Sequence, residues 1–151
     1  MIVSPVVHAD VVYFATSDTA LFHAVDAATG KERFTLPTGM FVFSSPAVSG
    51  DMAYFGVFNG KLLALDVRAG KQRWQFQTDA SRTNLPALLL PDGKPDHKKL
   101  FVSDFWEDMV VTVRKLFALG AILSSPTIVN DVLYVGSTDG YVYALKLAAA
   151  R

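Results

Sequence analysis

Short apolar runs separated by small polar turns recur along the chain. Val11-Val12-Tyr13-Phe14-Ala15, Met52-Ala53-Tyr54-Phe55-Gly56 and Val132-Leu133-Tyr134-Val135-Gly136 each centre a strand-length run on a Tyr. A Ser-Pro pair precedes each run, at Ser4-Pro5, Ser45-Pro46 and Ser125-Pro126, and each Tyr follows its Pro by eight residues. A polar turn comes next: Asn59-Gly60 in the second copy, Asp139-Gly140 in the third, and the looser Asp18-Thr19-Ala20, one residue longer, in the first. Asn-Gly and Asp-Gly supply the positive φ that a tight hairpin needs. Another strand then runs to Ala24, Ala64 or Ala144, and a Thr29-Gly30 or Ala69-Gly70 turn leads to a last strand carrying Phe34 or Trp74. Each unit is four short strands in up-and-down order. Four-stranded antiparallel units with a period of about 40 residues are propeller blades. The expected fold is all-β, a partial β-propeller with blades near residues 1–40, 41–78 and 124–147.

The stretch Ala64-Leu65-Asp66-Val67-Arg68-Ala69-Gly70-Lys71-Gln72-Arg73-Trp74 fits the pattern A-x-D-x-x-x-G-x-x-x-W. Its first copy is Ala24, Asp26, Gly30 and Phe34, with Phe in the Trp position. A third copy begins at Ala144, has Lys146 in the Asp position and stops with the sequence. These residues suit a scaffold. A buried Trp offers a wide apolar face, the Asp accepts backbone N–H bonds in the adjoining turn, and the Gly permits the turn.

With those residues the units resemble the repeats of pyrroloquinoline-quinone-like β-propellers. That superfamily includes quinoprotein alcohol dehydrogenases and the outer-membrane assembly lipoprotein of the BamB type. In it the pattern is called the tryptophan docking motif and ties neighbouring blades together. The match is specific in the second unit, good in the first and partial in the third, and the nearest likeness is to the C-terminal part of larger bacterial propeller-repeat proteins. The resemblance implies a structural role for Ala24, Asp26, Gly30, Phe34, Ala64, Asp66, Gly70 and Trp74. It implies a periplasmic or exported parent. It also implies a possible quinone site with calcium and a catalytic Asp. Such sites are built at the propeller axis from many blades, and three repeats do not surround a cofactor, so neither quinone nor calcium is expected on this chain.

The period fails between the second and third units. Leu85-Pro86 lies midway between Pro46 and Pro126, but the position eight residues beyond Pro86 is Lys94, inside the polar stretch Pro91 to Lys99, and no docking motif follows. Residues 79–123 are read as a helix-bearing insertion, with a degenerate blade as the alternative. Asp104-Phe105-Trp106-Glu107 has capping-box spacing. Phe105, Met109, Val113 and Phe117 then recur at the i+4 interval and would line one face, with Gly120 as terminator. The β-branched run Val110 to Val113 would also suit a strand. The helix is either packed on the propeller rim or a lid or docking element.

Composition removes several classes. The chain has 151 residues, enough for one modest domain, and its formal net charge is zero, with no basic stripe to suit nucleic acid. It has no cysteine, which excludes disulfides, the vicinal one of quinoprotein sites included, and thiolate metal ligation. No apolar run approaches the ~18 residues of a membrane span. Met1 opens almost directly into a strand, which points to a piece of a longer protein without its leader.

Asp92 and Asp96 in Asp92-Gly93-Lys94-Pro95-Asp96 slightly resemble a calcium loop, but the alternating oxygen ligands of such a loop are missing. Asp104, Glu107 and Asp108 group at the expected helix start. His8, His23 and His97 are scattered, without metal-ligand spacing. No nucleophile elbow or phosphate loop occurs. The expected function is a non-catalytic scaffold or binding module for protein–protein interaction, with self-association completing the ring as one partner choice. The alternative is a fragment of a quinone-dependent dehydrogenase whose active site lies mostly elsewhere.

Overall fold

Left-handed turns set the strand pairs. Ala9 and Asp10 take φ of 48° and 60°, and Asn130 and Asp131 take 48° and 61°, so two-residue turns close the first hairpins of the first and third units. Gly60 and Gly140, at φ 76° and 89°, close the next hairpins where Asn-Gly and Asp-Gly stand. The computed structural model describes residues 3–92, 94–101 and 106–147, with side chains at all of these except 106 and 107.

The first antiparallel sheet is β1 (Val6–His8), β2 (Val11–Ala15), β3 (Leu21–Asp26) and β4 (Glu32–Pro37), in that spatial order. The second is β5 (Ala47–Ser49), β6 (Met52–Gly56), β7 (Lys61–Asp66) and β8 (Lys71–Gln77). The third has three strands among the described residues, β9 (Thr127–Val129), β10 (Val132–Gly136) and β11 (Val142–Lys146). Strand β1 lies against β5 and β5 against β9, so the three sheets fan out from a common inner edge as consecutive blades. The fold is the all-β partial propeller expected from the repeat.

The core lies between sheets. Phe22 of the first blade stacks on Phe55 of the second at 4.9 Å, among Tyr13, Ala24, Ala53, Leu63 and Leu65. Tyr54, Leu62 and Ala64 of the second blade meet Leu133 and Val135 of the third, with Ile122 between them. The Ser residues beside the Ser-Pro pairs act as clasps. Ser44 Oγ accepts the Gly56 N–H at 3.0 Å, and Ser124 Oγ accepts the Gly136 N–H at 2.7 Å. Ser125 Oγ accepts the Ser45 N–H at 3.0 Å, joining the inner edges of two blades.

Between the second and third sheets the described residues form helices. They are α1 (Asp79–Asn84), a 3₁₀ turn at Leu85–Leu88, α2 (His97–Leu100) and α3 (Trp106–Phe117). Leu85-Pro86 therefore opens a helical turn, with Pro in its first turn, where its missing N–H costs nothing. Thr78 caps α1 by accepting the Ser81 N–H at 3.1 Å and donates to the Leu119 carbonyl at 3.3 Å, which ties the start of the insertion to its end. Gly120, at φ 62°, terminates α3, and its N–H bonds the Phe117 carbonyl.

The expected buried stripe of α3 is corrected. Phe105 and the Asp104 capping box lie outside the described residues, and Met109, Val113 and Phe117 are exposed. The buried side instead carries Thr112 and Leu116, continued by Leu119. The helix offers apolar residues on two sides, and the seam of the first two blades, with Met40, Val42 and Leu100, takes Leu116 and Leu119. Within the β-branched run only Thr112 is buried, and its burial with Leu116 outweighs a strand preference of a few tenths of a kcal/mol per residue in the exposed Val110, Val111 and Val113.

The tightest approach is at Gly56. A Cβ there would fall 2.2 Å from Ile122 Cγ2 and 2.4 Å from the Ile122 carbonyl oxygen. Gly56→Ala is expected to destabilise the chain by ~1–3 kcal/mol through overpacking, read as a lower urea midpoint at unchanged slope.

Candidate functional site

The docking motifs are built the same way twice. Ala24 on β3 pairs with Tyr13 on one side and Phe34 on the other, and Ala64 on β7 pairs with Tyr54 and Trp74. A small residue between two aromatic rings leaves both rings room on one face of the sheet. A register shift follows each Ala, at Ala24/Val25 and Ala64/Leu65, and re-aims the strand toward its turn.

The Asp residues close the turns. Asp26 Oδ1 accepts the Ala28 and Thr29 N–H groups and the Thr29 hydroxyl, while Asp26 Oδ2 accepts from Arg33 at 2.7 Å. Asp66 Oδ1 accepts the Arg68 and Ala69 N–H groups, and its Oδ2 accepts two bonds from Arg73, at 3.1 and 2.6 Å. Arg33 and Arg73 each stand seven residues after the motif Asp and directly before the aromatic residue. Sequence reasoning missed them, although their shared position was visible. The Arg33 hydrogen bond, followed by those of Thr29, holds the Asp26 carboxyl well below the usual carboxylate range. The Ala69 backbone N–H, followed by Arg73, lowers that of Asp66.

The first copy reaches the next blade through its aromatic residue. The Phe34 ring lies against Gly70 of the second blade, where a Cβ would fall 3.2 Å from the ring at a backbone φ of 61°. Trp74 differs from the buried indole expected. It is 37% exposed, with Tyr54 at 5.8 Å as its ring neighbour. The third-unit positions that would repeat the Asp66–Gly70 turn start at Lys146 and run into residues outside the description.

The other candidates stand apart. Asp92 accepts the Lys94 N–H and pairs with Lys94 Nζ at 3.1 Å. Asp96 caps α2 by accepting the Lys98 N–H and lies 3.7 Å from Lys99 Nζ. Asp104 and the Glu107 side chain lie outside the described residues. His8 is on β1, His23 stacks on Phe14 at 4.8 Å with Glu32 at 3.5 Å, and His97 opens α2. Among the described residues no group of three or more His, Asp or Glu is placed to hold a metal. A cleft of about 510 Å³ opens between the first two blades, lined by His8, Tyr13, Arg33, Phe34, Asp51 and Arg68. Its cations are already paired, Arg33 with Asp26 and Arg68 with Asp51 at 2.7 Å.

The least satisfied surface is the far face of the third blade. Tyr13, Tyr54 and Tyr134 hold one repeat position, yet they are 3%, 5% and 42% exposed. Phe22, Leu62 and Val142, opposite Ala15, Gly56 and Gly136 in register, are 0%, 0% and 75% exposed. Burial raises the Tyr13 and Tyr54 phenols above their ordinary range. The face that each earlier blade buries under its successor is exposed on the third at Tyr134 and Val142, with Val129 also exposed.

The turn carboxylates generate an acid-stability prediction. A folded-state pKa below the unfolded value contributes stability above about pH 4, and that stability is lost as pH falls through the folded pKa. Asp66→Asn should lower the melting temperature near neutral pH. It should also flatten the loss of stability below about pH 4, measured by thermal unfolding at a series of pH values.

Comparison with known proteins agrees with this architecture. The family profile described as outer membrane protein assembly factor BamB matches residues 2–151. The dehydrogenase subunit of the quinone alcohol dehydrogenase of Gluconacetobacter polyoxogenes is 33% identical over 88 residues, covering 46% of this chain and 11% of that protein. Among solved structures, BamB of Moraxella catarrhalis matches with TM-score 0.61 and 18% identity over 97% of this chain and 34% of its own. Quinohemoprotein alcohol dehydrogenase ADHIIG of Pseudomonas putida HK5 matches with TM-score 0.62 and 21% identity over 95% of this chain and 18% of its own. The chain thus spans about a tenth of the curated dehydrogenase and about a third of the solved BamB chain. Blade topology, the repeated turn chemistry and the profile match across residues 2–151 together make this chain a member of the BamB-type, PQQ-like propeller repeat family.

Proposed function

We propose that the chain is a non-catalytic propeller scaffold that works by binding protein surfaces. The observation that carries this reading is the match of residues 2–151 to the family profile described as outer membrane protein assembly factor BamB. The motif carboxylates support the same reading, because Asp26 and Asp66 are held by their own turns and by Arg33 and Arg73. A periplasmic or exported address for the parent goes with it, supported by the family's description as an outer membrane assembly factor. No described helix is long and apolar enough to cross a membrane.

The second reading, a piece of a quinone-dependent dehydrogenase, is favoured by the sequence likeness to the quinone alcohol dehydrogenase subunit. Asp92 and Asp96, the candidate calcium ligands of this chain, do not fit a quinone and calcium site. Asp92 and Asp96 are engaged by Lys94 and by the start of α2, and no third acidic ligand joins them. Fold likeness does not transfer the reaction.

Titration of the full-length parent with pyrroloquinoline quinone and calcium, followed by melting temperature and by dye-linked alcohol oxidation, separates the two. No saturable shift and no turnover are expected. A calcium-dependent shift that saturates with quinone would transfer the assignment to the dehydrogenase.

A further inference from the structure

The cleft of about 510 Å³ between the first two blades has both of its walls inside the chain, one from each blade. Val11, Phe34 and Val67 give it apolar lining. Tyr13 lines the same space and is 3% exposed. Its ring stacks on Phe22, while its hydroxyl has no hydrogen-bond partner among the described residues. No fully buried side-chain oxygen among those residues lacks a partner, so the Tyr13 oxygen is reached from the cleft. The charges of Arg33 and Asp51 both act on this phenol, which sets them beside it. A hydroxyl taken almost wholly out of water is costly to leave unmatched, so it calls for a partner from outside the chain.

Two guanidinium groups line the cleft with donors to spare. Arg33 spends one N–H, from a terminal nitrogen, on Asp26 Oδ2 at 2.7 Å. Arg73, at the same repeat position, spends both Nε and a terminal nitrogen on Asp66. Arg68 pairs through Nε with Asp51 at 2.7 Å, and its side chain is 80% exposed, where such a pair is weak. A guanidinium carries five N–H donors in a flat fork that matches a carboxylate. The place between the second and third blades lacks part of this set. Tyr54 repeats Tyr13 there, but Ser49 stands where the first blade has His8, and the sequence has Ala148 where Arg68 would recur.

We infer that the cleft between the first two blades binds a small organic acid. Its carboxylate takes the spare donors of Arg33 and Arg68 and the Tyr13 hydroxyl, and its apolar body lies against Val11, Phe34 and Val67. The volume falls within the ~300–1,000 Å³ of small-molecule sites. A bare oxyanion would use the guanidinium groups and leave the apolar lining uncovered, which favours an acid with a hydrocarbon body. Binding here goes beyond both the scaffold and the dehydrogenase reading and depends on neither.

The test is equilibrium dialysis of the full-length parent with phenylacetate, phenylacetamide and inorganic phosphate as probes. Phenylacetate is expected to bind saturably. Phenylacetamide keeps the shape without the charge, and phosphate keeps the charge without the body, so each should bind at least ~tenfold more weakly. Arg68→Ala and Tyr13→Phe should each weaken phenylacetate binding ~tenfold, as loss of a charge-assisted hydrogen bond does, with thermal unfolding as the check on folding. Tyr54→Phe is the control and should leave the affinity unchanged.

Absence of saturable phenylacetate binding overturns the inference. So does an amide or a phosphate that binds as tightly as the acid, since the guanidinium groups or the apolar lining would then play no part. A folded Arg68→Ala or Tyr13→Phe protein that binds as tightly as the wild type places the acid elsewhere and overturns it as well, as does a Tyr54→Phe protein that loses binding to the same degree. These outcomes are independent of the quinone titration, because Asp92 and Asp96 take no part in the cleft.

Discussion

Burial of one face of each blade under the next is the constraint on which this structure depends. A four-stranded sheet cannot form a core alone, because each strand sends alternate side chains to opposite faces. Here both faces of the second blade are buried, one under the first blade's Phe22 and Tyr13 and the other against the third blade's Leu133 and Val135. Each Phe or Leu taken out of water there contributes ~1.5–3 kcal/mol.

The docking motif works at a different scale. Asp26 and Asp66 organise turns within seven residues of themselves, and the guanidinium of Arg33 or Arg73 crosses the hairpin to the second carboxylate oxygen. That pair sits beside the aromatic residue that reaches the neighbouring blade, so a locally fixed turn aims a long-range contact. The contact needs a glycine at the receiving end, because Gly70 leaves room for the Phe34 ring. In the second copy the spacing combines Asp66, which shapes its own turn, with Gly70, which accepts the Phe34 ring.

The insertion sits on this frame and is held at both ends. Thr78 binds the start of α1 and the carbonyls of Leu119 and Gly120, so the helices leave and rejoin the propeller at one point. Gly60 belongs to the same junction, since a Cβ there would strike the Leu119 carbonyl oxygen and Thr78 Oγ1. The second and third blades can then remain neighbours across a long stretch of helical chain, joined at their inner edges by Ser45 and Ser125.

Strand order, blade number and turn chemistry were legible in the sequence because they arise from local features that repeat. The short apolar runs around Tyr13, Tyr54 and Tyr134, the Asn-Gly and Asp-Gly turns and the Asp-to-Gly spacing each act within a few residues. The turn role of Asp26 and Asp66 was legible for the same reason, and Arg33 and Arg73 could have been found by extending the pattern one residue before the aromatic position. The buried side of α3 was not legible. Its i+4 stripe of Met109, Val113 and Phe117 and its opposite side with Leu116 are both apolar, and the seam between the first two blades decided which one was covered. The exposure of Trp74, Tyr134 and Val142 was equally beyond local reading, because identical repeat positions differ only in whether a neighbouring blade lies over them. Local sequence determines which face of a blade is apolar, whereas burial of that face depends on what the tertiary structure places against it.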